Sequence, residues 1–344
     1  MWRSFSGFSA FSALSVIPGY TTQFFDVPYV EPVQRRPKVV VVGSGWASDS
    51  FVRNLDRNQY DVQVISERPM RLNQPHMISL WKPTYSALPV PVTVDTCVSV
   101  GQKRVVGKKG DYPYEYLVVA TGSEPNDFGI PGVKEHCLTC KTDSDLKQIQ
   151  DALRKGWPVT VLGAGPTGLE LACKLTALGH PVSIYEAGAT VLPGFSPTFQ
   201  TTVLRILSEK GIYINLNQRI IGMTAKTIRT QDDEVSDPAL RIWTCGVRPT
   251  AFSRSLGKAN EYQQISDDTF AIGDCAGRPT AQSARQQGAY LASAFNTRFT
   301  EKKPFVYSEL GRIVDLEDQF VVEVLGTVFI VPGFMRPLIH FATR

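Results

Sequence analysis

The chain has 344 residues, 43% of them hydrophobic and 20% charged, which is enough for two separate hydrophobic cores. Its net charge of +4 is spread without long basic runs, which excludes the footprint of a nucleic-acid binder. Six scattered cysteines are too few for a disulfide scaffold and point to a reducing compartment, and four histidines without zinc spacing give no metal centre.

In chain order, residues 1–23 hold Arg3, no acidic residue and five serines. That composition resembles a mitochondrial transit segment, and residues 1–36 read as an extension outside the fold. Residues 38–42 are Lys followed by four valines, the pattern of a strand buried on both faces of a parallel sheet. Gly43-Ser44-Gly45-Trp46-Ala47-Ser48 follows, then a helix to Leu55 and a second strand at 62–65, which completes a βαβ unit. Residues 114–122 read as a strand ending in the small turn Ala120-Thr121-Gly122.

The unit then recurs: a strand at 157–162, the turn Gly163-Ala164-Gly165-Pro166-Thr167-Gly168, a helix over 169–178 and a strand ending at Glu186. One glycine-rich turn of this kind is weak evidence. Two, each between a strand and a helix, point to two dinucleotide sites. Further on, a strand runs into Gly273-Asp274, and a helix is expected from about 280 to 295. Residues 304–311 and 319–330 look strand-like, and 334–344 read as a short amphipathic helix. The most apolar stretch, 321–334, is broken by Glu323, Gly326, Thr327 and Pro332, and no run reaches the ~18 residues of a membrane span.

Glycine at such a turn lets backbone N–H groups approach a pyrophosphate, which the following helix faces with its positive dipole end. The second turn is complete. The first has Ser48 in the third position, at an expected cost of about 1 kcal/mol in helix–strand packing. An acid ending the second strand binds a ribose 2′-hydroxyl. Glu186 fills that role, and a 2′-phosphate ~4 Å away would meet ~4 kcal/mol of repulsion at an effective dielectric of about 20. The second site should therefore prefer NADH to NADPH. In the first unit Ser66 holds the equivalent position, with Glu67 beside it.

Together these motifs resemble the two-dinucleotide flavoprotein oxidoreductases of the pyridine nucleotide-disulfide type. The Gly-Ser-Gly-Trp start, residues 126–132, Gly165-Pro166-Thr167-Gly168-Leu169-Glu170 and residues 279–288 (PTAQSARQQG) narrow the likeness to type II NADH dehydrogenases, single-chain NADH:quinone oxidoreductases. The resemblance implies an α/β fold of two Rossmann-like domains, with the NAD domain inserted in a split FAD domain and a short C-terminal tail. The FAD domain would take residues 37–148 and 265–300, the NAD domain 149–264, and the tail 301–344 would offer a membrane or partner contact.

By the same resemblance, Gly43, Ser44, Gly45, Trp46, Ala47, Glu67, Ala120, Thr121, Gly122, Gly273, Asp274, Ala281 and Gln282 would hold FAD. Gly163, Gly165, Pro166, Thr167, Gly168, Glu186 and Gly246 would hold NAD(H). Glu170 would lie at the nicotinamide–flavin contact, and Gln286 and Gln287 near a quinone or other small electron acceptor. Location on the matrix side of the mitochondrial inner membrane is expected. The chain departs from this family at residues 68–77, RPMRLNQPHM, where the family carries aromatics that pack on the flavin.

Two further readings stand beside this enzyme. One is a flavoprotein-derived structural subunit of a larger respiratory assembly, its trimmed loops serving as interfaces. The other is a thiol reductase using Cys137 and Cys140, which are spaced C-x-x-C. The pair sits ahead of the polar helix-capping stretch 141–146 and otherwise reads as an accidental spacing, while Cys245 and Cys275 flank strand ends and read as small buried hydrophobes.

Overall fold

A computed structural model of the chain describes residues 35–301 and 303–336. The transit-like segment and most of the amphipathic C-terminal helix expected from sequence lie outside the described residues.

The valine run forms a strand, Lys38–Val42, at the centre of a six-stranded sheet. It pairs in parallel with Asp61–Ser66 on one side and Tyr116–Val119 on the other. Val92–Val94 extends the sheet beyond Asp61–Ser66. Thr269–Ala271 returns from far along the chain to pair in parallel with Tyr116–Val119, and Gln264–Ser266 closes that edge antiparallel. The first domain is thus built from two separated stretches of chain.

A second, wholly parallel sheet has the order Leu138–Thr139, Leu240–Trp243, Val159–Leu162, Val182–Tyr185, Tyr213–Asn215. The chain first enters this sheet at Leu138. The helix Asp143–Leu153 starts on a capping box, in which Thr142 and Asp145 satisfy each other's backbone N–H groups. Its Ile149 and Leu153 sink into the core of the second sheet, while Leu146 packs with Leu72 and Met77 from the first domain.

The tail divides at Leu325 and Gly326. Arg312–Asp315, Gln319–Val324 and Thr327–Pro332 form a three-stranded antiparallel sheet, so the stretch expected as one strand over 319–330 is a hairpin. Val314, Leu316 and Val321 join the core of the second domain beside Leu171, Phe199 and Val203. Residues 304–311, also expected as a strand, take no regular structure. Side chains of one helix bind that segment's backbone instead. Tyr290 donates to the Lys303 carbonyl at 2.5 Å, and Gln286 exchanges two hydrogen bonds with Ser308, at 2.7 and 2.9 Å.

That helix, Ala281–Asn296, crosses the first-domain helix Trp46–Asn54 in close contact. At the crossing a Cβ on Gly288 would stand 2.3 Å from the Ala47 carbonyl oxygen. The bare backbone of Gly288 lets the two helices approach. Among the described residues no helix is long and apolar enough to cross a membrane, and none of the acidic, histidine and cysteine side chains group as a metal site.

Candidate functional site

Both glycine turns stand where a parallel strand ends and a helix begins. Gly43 needs a positive φ of 110°, and a Cβ there would strike the Ala120 carbonyl oxygen at 2.2 Å. The first turn therefore lies directly against the Ala120-Thr121-Gly122 turn. Gly45 and Gly165 serve as the N-caps of the helices Trp46–Asn54 and Pro166–Ala177. Neither has a side chain to take the first-turn N–H groups, and a Cβ on either would meet nothing within 4 Å among the described residues. Each helix thus opens onto free space through bare backbone, the arrangement an anionic phosphate requires.

Ser44 is held by its neighbours: its Oγ lies 2.9 Å from Ser66 Oγ and donates to the Arg68 carbonyl at 3.1 Å. Glu67 is exposed just past the strand end. Ser48 is fully buried, its hydroxyl without a partner among the described residues.

In the second unit Glu186 accepts N–H bonds from Ala164, inside the glycine turn, and from Gly188, both at 2.8 Å. One carboxylate therefore fixes the turn and keeps lone pairs for a ribose. Two residues that the sequence did not single out also line this turn. Thr244 Oγ1 donates to the Leu162 carbonyl at 2.9 Å, and Cys245 Sγ stands 3.0 Å from where a Gly163 Cβ would be. Gly246 follows, its N–H on the Thr244 carbonyl at 2.8 Å.

Asp274 sits in the 3₁₀ turn Gly273–Ala276. Its carboxylate accepts from Ser123 Oγ at 2.6 Å and from Lys141 Nζ at 3.3 Å. Gln287, expected at an acceptor site, is only 3% exposed. Its Oε1 accepts the Gly273 N–H at 2.5 Å, and its Nε2 donates to Ser283 at 3.1 Å. It fixes the Asp274 turn from behind. Gln286 lies on the exposed side, but its carboxamide is engaged by Ser308. Gln282 accepts from the Tyr307 hydroxyl.

Glu170 lies just past the first turn of the helix Pro166–Ala177, against the tail sheet. Burial pushes its carboxyl up to about 8, against the pull of the Asp315 N–H at 3.3 Å. Asp315, also raised by burial, is paired with Arg336 at 3.0 Å. Lys174 joins the group, bonded to Glu317 at 2.8 Å and to the Ser79 carbonyl at 3.0 Å.

The loop that lacks aromatics is filled by a cation. The Arg71 guanidinium, on a residue 7% exposed, lies 3.9 Å from the centre of the Trp46 ring and 2.6 Å from Asp49. Cys137 and Cys140 belong to different clusters: Cys137 packs beside Met223, its Sγ 3.3 Å from the thioether sulfur, while Cys140 joins the other side of the sheet. Burial pushes both thiols up to about 12. This environment counters the thiol-reductase reading, since the nucleophile is the thiolate.

The profile of the pyridine nucleotide-disulphide oxidoreductases matches residues 37–288. The chain belongs to this family. Among similar proteins, the mitochondrial external alternative NAD(P)H-ubiquinone oxidoreductase B2 of Arabidopsis thaliana is 29% identical over 322 residues, covering 72% of this chain and 55% of its own. A type II NADH:quinone oxidoreductase of Haemophilus influenzae is 26% identical over 286 residues, covering 62% and 64%. NDH2 from Plasmodium falciparum, solved in complex with NADH, superposes with a TM-score of 0.80 over 90% of this chain and 94% of that one, at 18% identity. The chain spans about half the length of the Arabidopsis relative.

Pyridine nucleotide-disulphide oxidoreductases bind FAD and NAD(H). The residues present fit both groups, because the cradle at each glycine turn is one that a single Cβ on Gly45 or Gly165 would begin to fill.

Proposed function

We propose that the chain is an FAD-dependent NADH oxidoreductase that passes electrons to a quinone-type acceptor in the mitochondrion. The observation that carries this reading is the pair of bare glycine-capped helix starts, one beside Asp274 and the other beside Glu186. The names of the quinone oxidoreductases it resembles support the acceptor and the compartment.

Bound FAD and NADH supply the hydride chemistry, and the protein supplies position and charge. Gly43, Ser44, Gly45, Trp46 and Ala47, with Ala120, Thr121 and Gly122, would hold the FAD pyrophosphate. Asp274 would accept from the ribityl chain. Gly163, Gly165, Pro166, Thr167 and Gly168 would hold the NADH pyrophosphate, and Glu186 its ribose. Quinone reduction by NADH consumes one proton beyond the hydride. Burial raises the Glu170 carboxyl to about 8, which makes it a group able to hold that proton.

The tail exposes Val306, Leu310, Leu325, Phe329 and Phe334, which suits peripheral attachment to a membrane. Attachment on the matrix side of the inner membrane is tested by protease protection in intact mitochondria and mitoplasts. The reading as a structural subunit of a respiratory assembly draws on one observation. Gln286, Gln287 and the loop at Arg71 are all committed to internal contacts.

Single-turnover spectroscopy separates the two readings. A yellow protein bleached by NADH supports the oxidoreductase, and a protein whose spectrum ignores NADH supports the subunit. Asp274→Ala should release FAD on desalting. Full retention of flavin absorbance by that variant would remove Asp274 from the site.

A further inference from the structure

Lys141 stands just before the capping box of Asp143–Leu153, at the crossing from the first domain into the second. Its Nζ donates to Ser123 Oγ at 2.9 Å and to Asp274 Oδ2 at 3.3 Å, while Ser123 Oγ donates to the same Asp274 oxygen at 2.6 Å. Three segments distant in sequence therefore meet on one ammonium group: the chain after the Ala120-Thr121-Gly122 turn, the Asp274 turn, and the second domain's first helix. Among the described residues two of its three donors are taken by protein, and the side chain is 23% exposed.

The backbone at Lys141 is held from both sides. Its N–H donates to Asp145 Oδ2 at 2.8 Å, and the same oxygen accepts from Thr139 Oγ1 at 2.9 Å and from the Thr142 N–H at 3.1 Å. Its carbonyl accepts from Gln74 Nε2 at 2.7 Å, out of the loop that replaced the aromatics. A lysine loses up to ~2 kcal/mol of rotamer freedom when fixed, so a rigid base that aims it at one carboxylate is a costly arrangement to maintain for an exposed ion pair.

We propose that Lys141 is a cofactor-positioning residue. It holds the Asp274 carboxylate in the orientation that receives the ribityl chain of FAD and places one positive charge beside the flavin. The proposal rests on the FAD reading above. FAD brings a pyrophosphate with two negative charges, and an uncompensated carboxylate nearby would oppose it. Lys141 cancels that charge and favours the reduced flavin, which is more negative than the oxidised form.

The test uses the full chain, reconstituted from apoprotein, with Lys141→Met and Lys141→Arg. FAD affinity is read from quenching of flavin fluorescence, and the midpoint potential from a redox titration of the bound flavin. Lys141→Met should bind oxidised FAD about tenfold more weakly, and reduced FAD more weakly still by a further factor of about ten, which lowers the potential by about 30 mV. Lys141→Arg should restore the potential. If Lys141→Met fails to fold, Lys141→Gln keeps a donor for Asp274 and Ser123, removes only the charge, and reads the same two quantities. Wild-type affinity and potential in the neutral variants overturn the proposal, as does lowered thermal stability with an unchanged potential. A wild-type chain that takes up no FAD overturns the flavoprotein reading itself, a result distinct from either.

Discussion

Single residues in this chain carry two kinds of electrostatic consequence. Glu186 already accepts N–H bonds from Ala164 in the glycine turn and from Gly188 two residues on, so a 2′-phosphate beside it would face a carboxylate with little freedom to move away. NADH should bind at least ~10-fold more tightly than NADPH, a difference of ~1.4 kcal/mol. Calorimetric titration of the two nucleotides checks this, and equal affinities would reject the assignment of Glu186. Glu170 is the opposite case, an acid whose charged form is disfavoured. Its carboxyl rises from 4.5 to about 8 on folding, so between those values the folded chain binds more protons than the unfolded one. Its contribution to stability is therefore lost as pH rises from about 4.5 to about 8. Glu170→Gln should gain stability relative to the parent across that window, by at most a few kcal/mol at about 1.4 kcal/mol per pKa unit. Melting curves at pH 5 and pH 8 read the difference. A gap between the two proteins that does not change with pH would place the Glu170 carboxyl in an ordinary environment.

At the scale of elements, the crossing of Trp46–Asn54 over Ala281–Asn296 couples the two halves of the first domain. Gly288 has the Ala47 carbonyl and the Phe51 N–H within 3 Å of any added Cβ, and those are backbone atoms that cannot rotate aside. Gly288→Ala should cost about 1–3 kcal/mol through overpacking. It should also loosen FAD, because the helix it displaces is the one whose start would face the pyrophosphate. Urea denaturation and flavin retention on desalting measure both effects together. Loss of stability with FAD held as tightly as before would show that the crossing supports the fold alone. The segment at 303–311 makes the same point in reverse: Gln282, Gln286 and Tyr290, on one face of a helix, bind it without a strand partner.

For the whole molecule, the second domain and the tail share a core, while the loop at residues 68–77 seals the first glycine-turn helix with an arginine over Trp46. The aromatic surface that would stack a quinone ring is missing there, and aromatic contacts contribute ~0.5–1.5 kcal/mol each beyond burial. Losing two or three weakens quinone binding by roughly one to two orders of magnitude. The purified chain should therefore be reduced by NADH yet turn over a short-chain quinone slowly. Stopped-flow reduction of the flavin and steady-state quinone assays separate the two steps. Brisk steady-state turnover would show that acceptor binding does not depend on that surface.

The sequence by itself determined the two glycine-turn units and their order, and from Glu186 it set the expectation of NADH over NADPH at the second. Those features live in short stretches where strand, glycine turn and helix follow one another, and each signal is complete within about thirty residues. It also marked Ser48 and the aromatic-free loop at 68–77, since both are local departures from an expected pattern. The tertiary structure decided the fate of the long-range polar groups. Gln287 is bonded to Gly273 behind the Asp274 turn, Arg71 neutralises Asp49, Glu170 is buried by a sheet from the tail, and Lys141 reaches Asp274 across the domain boundary. A polar side chain becomes a tie, a proton store or a ligand contact according to what stands within ~3 Å of it. For these four, part or all of that shell comes from chain distant in sequence, and only folding brings it there.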